Sequence, residues 1–269
     1  MLREMRYDKH MATKISLALA TYNEEKNISR CLESVQGLVD EIILVDGTSN
    51  DKTVEIARQY QAETILTDNK PMFHFNKQAA IDAATGVWVL QLDADEAISD
   101  ELKEEIRQII DSSDSFDGYW MPRKNYFLGK FLLKGGQYPD YTLRLYRRGK
   151  GRLPCKSVHE QAVVDGTVGY LKHDLLHYPF PDFKEYLNKA NRYANLLAQD
   201  YFDKKIKGGF LGIIKYMIII PKITFFSLYF RHLGILDGLP GFVFALYSSI
   251  QKITAYILYT EAIRVKRNK

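Results

Sequence analysis

The segment Val87–Glu96 reads Val-Trp-Val-Leu-Gln-Leu-Asp-Ala-Asp-Glu. An uncharged, β-prone run that stops abruptly on carboxylates constrains the fold strongly. Buried parallel strands are apolar along their length and turn polar only where they emerge. Open α/β sheets gather functional residues at that carboxyl edge. Asp93 and Asp95 therefore fall where an Asp-x-Asp pair can serve a hard divalent cation, because Mg²⁺ is held by one or two carboxylates together with substrate phosphates. Taken alone, the tripeptide reads equally as a polar strand end followed by a helix cap, so the surrounding chain must decide.

Upstream, the pattern alternates between periods of two and 3.6 residues. Lys14–Thr21 reads as a strand that ends in Tyr22-Asn23-Glu24-Glu25. Ile28, Cys31, Leu32, Val35 and Leu38 then mark one face of a helix. Glu41–Val45 is a second strand, stopped by Asp46-Gly47-Thr48-Ser49-Asn50-Asp51, a run with turn and capping chemistry. Val54, Ala57 and Tyr60 mark another helix, Glu63–Thr67 a third strand, and Asn76–Thr85 a helix closed by Gly86 as its C′ residue. Short connections and strict alternation predict an α/β fold, a parallel sheet covered on both faces. Three strands thus end in polar clusters on one edge: Thr21 to Glu24, Asp46 to Thr48, and Asp93 to Asp95. No Gly-x-Gly-x-x-Gly or Gly-x-x-x-x-Gly-Lys-Ser/Thr occurs, which sets aside dinucleotide and P-loop sites. A nucleotide here has to be held by side chains and a metal.

After Glu96 the strict alternation stops. Ser99 is placed to cap a helix carrying Leu102, Ile106 and Ile109. Gly118–Arg123 and Tyr126–Leu133 read as two strands separated by Pro122-Arg123-Lys124-Asn125. A glycine-led loop from Gly135 feeds an arginine-rich strand (Leu143-Arg144-Leu145-Tyr146-Arg147-Arg148), which suits contact with phosphates or an anionic acceptor, or simple solvation. Asp165-Gly166 suggests a hairpin, and Phe183–Asp200 a further amphipathic helix.

Residues 15–96 resemble the inverting glycosyltransferases of the GT-A fold, family 2. The resemblance is carried by Thr-Tyr-Asn-Glu-Glu, Val-Asp-Gly-Thr-Ser-Asn-Asp-Lys-Thr, Phe-Asn-Lys-Gln-Ala-Ala-Ile-Asp-Ala-Ala-Thr-Gly and Leu-Asp-Ala-Asp-Glu. It implies that Thr21, Tyr22 and Glu24 line the base and ribose pocket and that Asp46 hydrogen-bonds a uracil ring. Lys77 matches a basic position near the donor where arginine is more usual. Asp93 and Asp95 would hold the ribose and a diphosphate-bound Mg²⁺ or Mn²⁺. Within the family, residues 118–178 are most similar to the lipopolysaccharide-core glucosyltransferase branch, through Asn-Tyr-Phe-Leu-Gly, Gly-Gly-x-Tyr-Pro-Asp, Leu-Arg-Leu-x-Arg-Arg-Gly-Lys-Gly, Val-His-Glu and Leu-Leu-His-Tyr. The Gln-x-x-Arg-Trp signature of processive members is absent, which favours addition of one sugar per encounter.

Inverting transfer is an in-line displacement at the anomeric carbon. It needs a base for the acceptor proton and a cation for the departing nucleoside diphosphate. A carboxylate is the usual base: Glu160, in Val-His-Glu, lies where the family's catalytic acidic motif is expected, and Asp140 is its rival on a loop able to gate the site. His159 and His177 are candidate metal or phosphate contacts, although a lone histidine is more often structural.

Beyond Gly208 the chain becomes rich in Ile, Phe and Tyr. From Lys204 onward eleven Lys/Arg face only Asp237 and Glu261, on a chain whose formal net charge is +4. Lys215, Lys222, Arg231 and Lys252 interrupt each apolar run and Pro221 falls inside one, so helices lying on an anionic membrane surface are expected rather than spans. The rival reading is packing as core or against another subunit. Two distant cysteines, Cys31 and Cys155, indicate neither a disulfide framework nor a zinc site, and the first residues show no secretory signal. The expectation is a catalytic domain over 1–203, its nucleotide half at 14–96 and acceptor half at 97–203, with an amphipathic region over 204–269. It would work at the cytoplasmic face of the cell membrane, moving a sugar from a nucleotide sugar, UDP-linked by preference, to a glycan or glycolipid acceptor. No nucleic-acid partner is indicated. The competing classes are a sugar-1-phosphate nucleotidylyltransferase, expected to carry a glycine-rich signature after the first strand, and a non-catalytic scaffold of the same fold.

Overall fold

The computed structural model describes residues 14–70, 72–112, 115–156, 160–206 and 208–267. They fall into two compact units, one of residues up to Pro122 with Tyr141–Leu175, the other of Arg123–Asp140 with the chain from Leu176 onward. The boundary expected at residue 203 is not where the chain divides.

In the first unit the alternating pattern yields β1 (Ile15–Thr21), α1 (Ile28–Val35), β2 (Glu41–Asp46), α2 (Thr53–Gln59), β3 (Glu63–Leu66), α3 (His74–Ala83) and β4 (Trp88–Asp93). Strands β3, β2, β1 and β4 lie side by side and parallel. Side chains alternate across the pleat. Leu17, Leu19, Leu90 and Leu92 therefore pack under α1 on one face, and Ala18, Ile43, Val45 and Val89 pack against Ala80 and Ile81 of α3 on the other. Every helical position read from the period of α1 is buried.

Next come β5 (Glu96–Ile98) and α4 (Asp100–Ile110), the latter capped as expected by Ser99, whose Oγ accepts from Leu102 N at 3.1 Å. The sheet then turns mixed. β6 (Gly118–Phe127) is separated by β7 (Lys130–Leu132) and a loop from β8 (Asp140–Arg147), which joins β4 in antiparallel fashion. Short strands β9 (Gly151–Arg152), β10 (Val163–Val164) and β11 (Val168–Tyr170) follow.

Several local expectations are corrected. β6 runs unbroken through Pro122, and the reversal comes later, at Leu128-Gly129, where both φ angles are positive (47° and 89°). Reversal needs a left-handed backbone, which glycine supplies and Pro122 cannot. Asp165-Gly166 is a turn but not a hairpin, since β10 pairs with β9 while β11 pairs in parallel with β6. Gly86 is not a helix-capping residue, because α3 ends at Ala83. Its N–H donates to Ser16 Oγ, and a Cβ there would lie 2.8 Å from Ser16 N. Glycine is required by the close approach of backbone to β1.

The second unit continues from β12 (Leu175–His177) into α5 (Phe183–Asp203), α6 (Gly209–Ile213), α7 (Ile220–Phe226) and α8 (Leu239–Arg267). Asp182 caps α5 by accepting from Glu185 N at 2.8 Å. Ala194, Ala198 and Tyr201 of α5 pack on Ala255, Tyr256 and Tyr259 of α8, which is why α5 belongs with the C-terminal helices. π-helical turns at Ile214–Ile219 and Ser227–Arg231 join α6 and α7 into one helical segment, Gly209–Arg231. Pro221 therefore does not interrupt the helix: it sits in the first turn of α7 after a wide π turn, which relieves the clash a proline ring makes in a regular helix. By length and composition, Gly209–Arg231 and Leu239–Val265 are each long and apolar enough to cross a membrane, contrary to the expectation that charges exclude this.

Candidate active site

The edge where β1, β2 and β4 end carries two networks. In the first, Thr21 Oγ1 donates to Asp46 Oδ2 at 2.8 Å, Ser49 Oγ donates to the same oxygen at 2.7 Å, and Ser49 N donates to Oδ1 at 2.7 Å. Asp46 is wholly buried. Beyond it the loops after β1 and β2 are stitched together: Asn23 N donates to Ser49 Oγ, Asn50 N to Asn23 Oδ1, and Glu24 N to Thr53 Oγ1. Asn23 and Thr48 take positive φ (56° and 65°) to make these contacts. Tyr22 stands exposed beside them, and Glu24 is half-buried, accepting from Asn27 Nδ2.

The second network is built on Arg144. The β4–β8 ladder ends at Leu90–Leu145, so the next residues of the two strands are Gln91 and Arg144. The buried guanidinium donates to Gln91 Oε1 at 2.6 Å, Asp93 Oδ2 at 2.7 Å and Glu96 Oε1 at 2.8 Å. Glu96 has a fully buried side chain and also accepts from Asp93 N, closing the Asp-Ala-Asp turn on itself. Lys77 of α3 pairs with Asp93 Oδ1 and lies over the Phe73 ring. Burial alone would pull the Arg144 guanidinium down, but Asp93 and Glu96 outweigh it and hold the group above its ordinary value. Behind the turn Cys31 is pushed well up, by burial first and then by Glu96, Asp93, Asp95 and Glu24.

The structure thus brings Lys77, Asp93, Asp95 and Glu96 to one strand end, and Thr21, Tyr22, Glu24 and Asp46 to the neighbouring one. Both oxygens of Asp93 are engaged by cations, Lys77 and Arg144, so as placed it suits anchoring the turn better than ligating a metal. Asp95 occupies the turn itself and is partly exposed. Among the described residues no group of three or more His, Cys, Asp or Glu is gathered as a metal cage. A single partly exposed carboxylate at the turn, Asp95, would fit a Mg²⁺ or Mn²⁺ that draws its other ligands from a diphosphate and water.

The two candidate bases lie in different units. Glu160, in the first, accepts from Lys156 N at 3.0 and 3.1 Å, and His74 Nδ1 of α3 stands 3.9 Å from its Oε1. Asp140, in the second, receives Arg123 Nε at 3.0 Å, Arg123 Nη2 at 2.6 Å and Asn125 Nδ2 at 3.3 Å, all on Oδ2. His177 Nδ1 is 2.6 Å from Asn125 Oδ1, and His159 lies outside the described residues. Arg144, Gln91 and His74 join these residues without a motif to mark them. In the sequence Arg144 is one of several arginines open to phosphate or solvent; a polar residue inside the apolar stretch of β8 is the available signal.

Comparison with known proteins agrees with this geometry. The family model described as glycosyl transferase family 2 matches residues 16–164. The lipopolysaccharide core biosynthesis glycosyltransferase LpsC of Rhizobium meliloti is 30% identical over 94% of this chain and 95% of its own length. An uncharacterized glycosyltransferase of Rickettsia typhi is 30% identical over 70% of this chain and 68% of its own. Among solved structures, a mannosyltransferase from Pyrobaculum calidifontis superposes with a TM-score of 0.51 at 12% identity, covering 93% of this chain and 88% of that one, a likeness of fold. With a mixed GT-A-type sheet whose polar edge carries the Asp-x-Asp turn, this chain belongs to glycosyl transferase family 2 and is an inverting, nucleotide-sugar-dependent glycosyltransferase.

Proposed function

We propose that the enzyme transfers one sugar from a uridine diphosphate sugar to a membrane-proximal glycolipid acceptor of the lipopolysaccharide-core type. The observation that supports it most is the Asp-x-Asp turn, in which Arg144 and Lys77 offset Asp93 and Glu96 and Asp95 adds a further negative charge, beside the Asp46 network. The printed name of the Rhizobium relative supports the acceptor class. Asp46 Oδ1 accepts one internal bond and retains capacity for a second, which suits a uracil ring N–H. Because Asp46 is buried, base recognition there requires the loops at 22–25 and 47–53 to part.

A divalent cation held by Asp95, when bound, would neutralise the leaving diphosphate. Lys77, displaced from Asp93, is the nearby ammonium for the same charge. Glu160 is the preferred base, set on a backbone N–H with His74 behind it, whereas Asp140 is committed to Arg123 and suits acceptor positioning. Lys215 and Lys222 are both exposed on the Gly209–Arg231 helix. Phe210, Leu211, Ile223 and Phe226 are exposed along it. This arrangement supports contact with an anionic membrane surface, at the cytoplasmic face, rather than full insertion.

Glu160→Gln should lower turnover by about 10²–10⁴-fold with donor affinity nearly unchanged, the usual worth of a general base. Asp140→Asn should act mainly on acceptor affinity. Turnover kinetics on both variants decide the assignment, and the reverse pattern would exchange the two roles. Equal binding of UDP, CDP and ADP in calorimetry would remove the uridine reading.

A further inference from the structure

The second unit holds a cavity that the transfer chemistry does not use. It lies between α5 and α8, with a volume of about 360 Å³, within the range of small-ligand pockets (~300–1,000 Å³). Its walls include the rings of Tyr186, Tyr193 and Tyr247, and two lysines reach it, Lys189 from α5 and Lys252 from α8. Among the described residues no lining residue is acidic. Lys189 Nζ donates to the Pro179 carbonyl at 2.6 Å and lies 5.4 Å from the centre of the Phe180 ring. Its charge is thus positioned but matched by no carboxylate among the described residues. Lys252 makes no ion pair among the described residues, and the Ser248 hydroxyl one turn before it makes no hydrogen bond among them.

Two ammonium groups in an aromatic, partly enclosed space attract an anion, and their attraction strengthens as water is excluded. Aromatic faces carry negative charge at the ring and favour the polarised C–H face of a pyranose or cyclitol. Ser248 adds a donor and acceptor for a hydroxyl. The rings are also held firmly: Tyr186 packs edge-on to Tyr247 with centroids 6.0 Å apart, and its hydroxyl is pushed up to about 12 by burial and then by Tyr247, so it stays neutral. A neutral phenol does not repel the anion.

We propose that this cavity is a binding site for an anionic sugar, a ring bearing a phosphate or carboxylate, with Lys189 and Lys252 on the acid group and the tyrosines on the ring. The ligand can arrive as a free sugar phosphate or as the headgroup of a lipid. All its lining residues belong to the second unit, and it does not depend on the donor or base assigned in the first.

The test is calorimetric titration of the full-length protein, saturated with UDP to block the nucleotide edge. The probes are glucose 6-phosphate, monomeric dihexanoyl phosphatidylinositol, and neutral glucose. Binding of one or both anionic probes, at least tenfold tighter than glucose, is expected, and their ratio identifies the source. Lys252→Met, which keeps the aliphatic stem, should weaken the anionic probes about tenfold and leave UDP affinity unchanged; Lys252→Glu should abolish their binding. Lys252 is half-exposed, and circular dichroism melting confirms that the variants fold. Failure of both anionic probes to bind, glucose binding as well as they do, or Lys252→Met binding them like the parent would each overturn the proposal.

Discussion

Replacing Arg144 with methionine tests whether a buried charge hub holds the Asp-x-Asp turn. Methionine keeps the length and apolar stem of the side chain while removing its charge and five donors. Three acceptors lose a partner: Gln91 at 2.6 Å, Asp93 at 2.7 Å and Glu96 at 2.8 Å. Gln91 Oε1 loses a donor but is neutral, and Asp93 keeps Lys77, so the charge that loses its cation is that of Glu96. Its side chain is fully buried and loses the Arg144 guanidinium while keeping the Asp93 N–H among its partners. Removing one partner of a buried ion pair costs about 3–5 kcal/mol. At roughly 2–4 °C per kcal/mol for a unit of this size, Tm should fall by about 6–20 °C. Both tryptophans, Trp88 and Trp120, belong to the first unit, so tryptophan fluorescence follows its unfolding without signal from the second. The drop should persist in about 1 M salt, because buried pairs are screened little. Adding Glu96→Gln to Arg144→Met removes the stranded charge and should recover a large part of the loss. A Tm for Arg144→Met within about 2 °C of the parent, or a double variant no better than the single one, refutes the reasoning.

Asp237→Asn should loosen the loop after β7: the buried carboxylate accepts from Leu133 N at 3.2 Å and Lys134 N at 2.8 Å, and amide exchange at those two positions should quicken about tenfold, the equivalent of roughly 1.4 kcal/mol. Unchanged exchange would show that the loop is held by other contacts. Cys31 keeps its proton in the fold, where burial and then the surrounding carboxylates raise its pKa, while the unfolded chain gives it up near 8.5. Stability should therefore fall as pH rises past about 8.5, with Cys31→Ala flattening that slope, and iodoacetamide should label half-buried Cys155 well before Cys31 in the native protein. Full-length protein should sediment with anionic vesicles and be released only partly by salt, since apolar burial survives screening; indifference to vesicles would favour subunit or core packing for the C-terminal helices.

The periodicity of residues 15–93 determined the parallel half of the sheet, because apolar alternation and short connections leave few other ways to bury Leu17, Leu44 and Leu90. The same pattern located the polar strand ends, and Ser99 announced its own helix. It could not reveal what those polar groups do to one another. Asp93 reads as a metal ligand until Arg144, fifty-one residues later, arrives across an antiparallel ladder and takes one of its oxygens. Glu96 reads as an afterthought to Asp-x-Asp until burial makes it the carboxylate that closes the turn. Gly86 looked like a helix terminator because its sequence neighbours were helical, whereas its constraint comes from β1, seventy residues away. Local propensity and period act within a few residues of the chain. Ion pairing, backbone approach and the joining of α5 to α8 are set by long-range proximity, and only the tertiary structure brings those residues together.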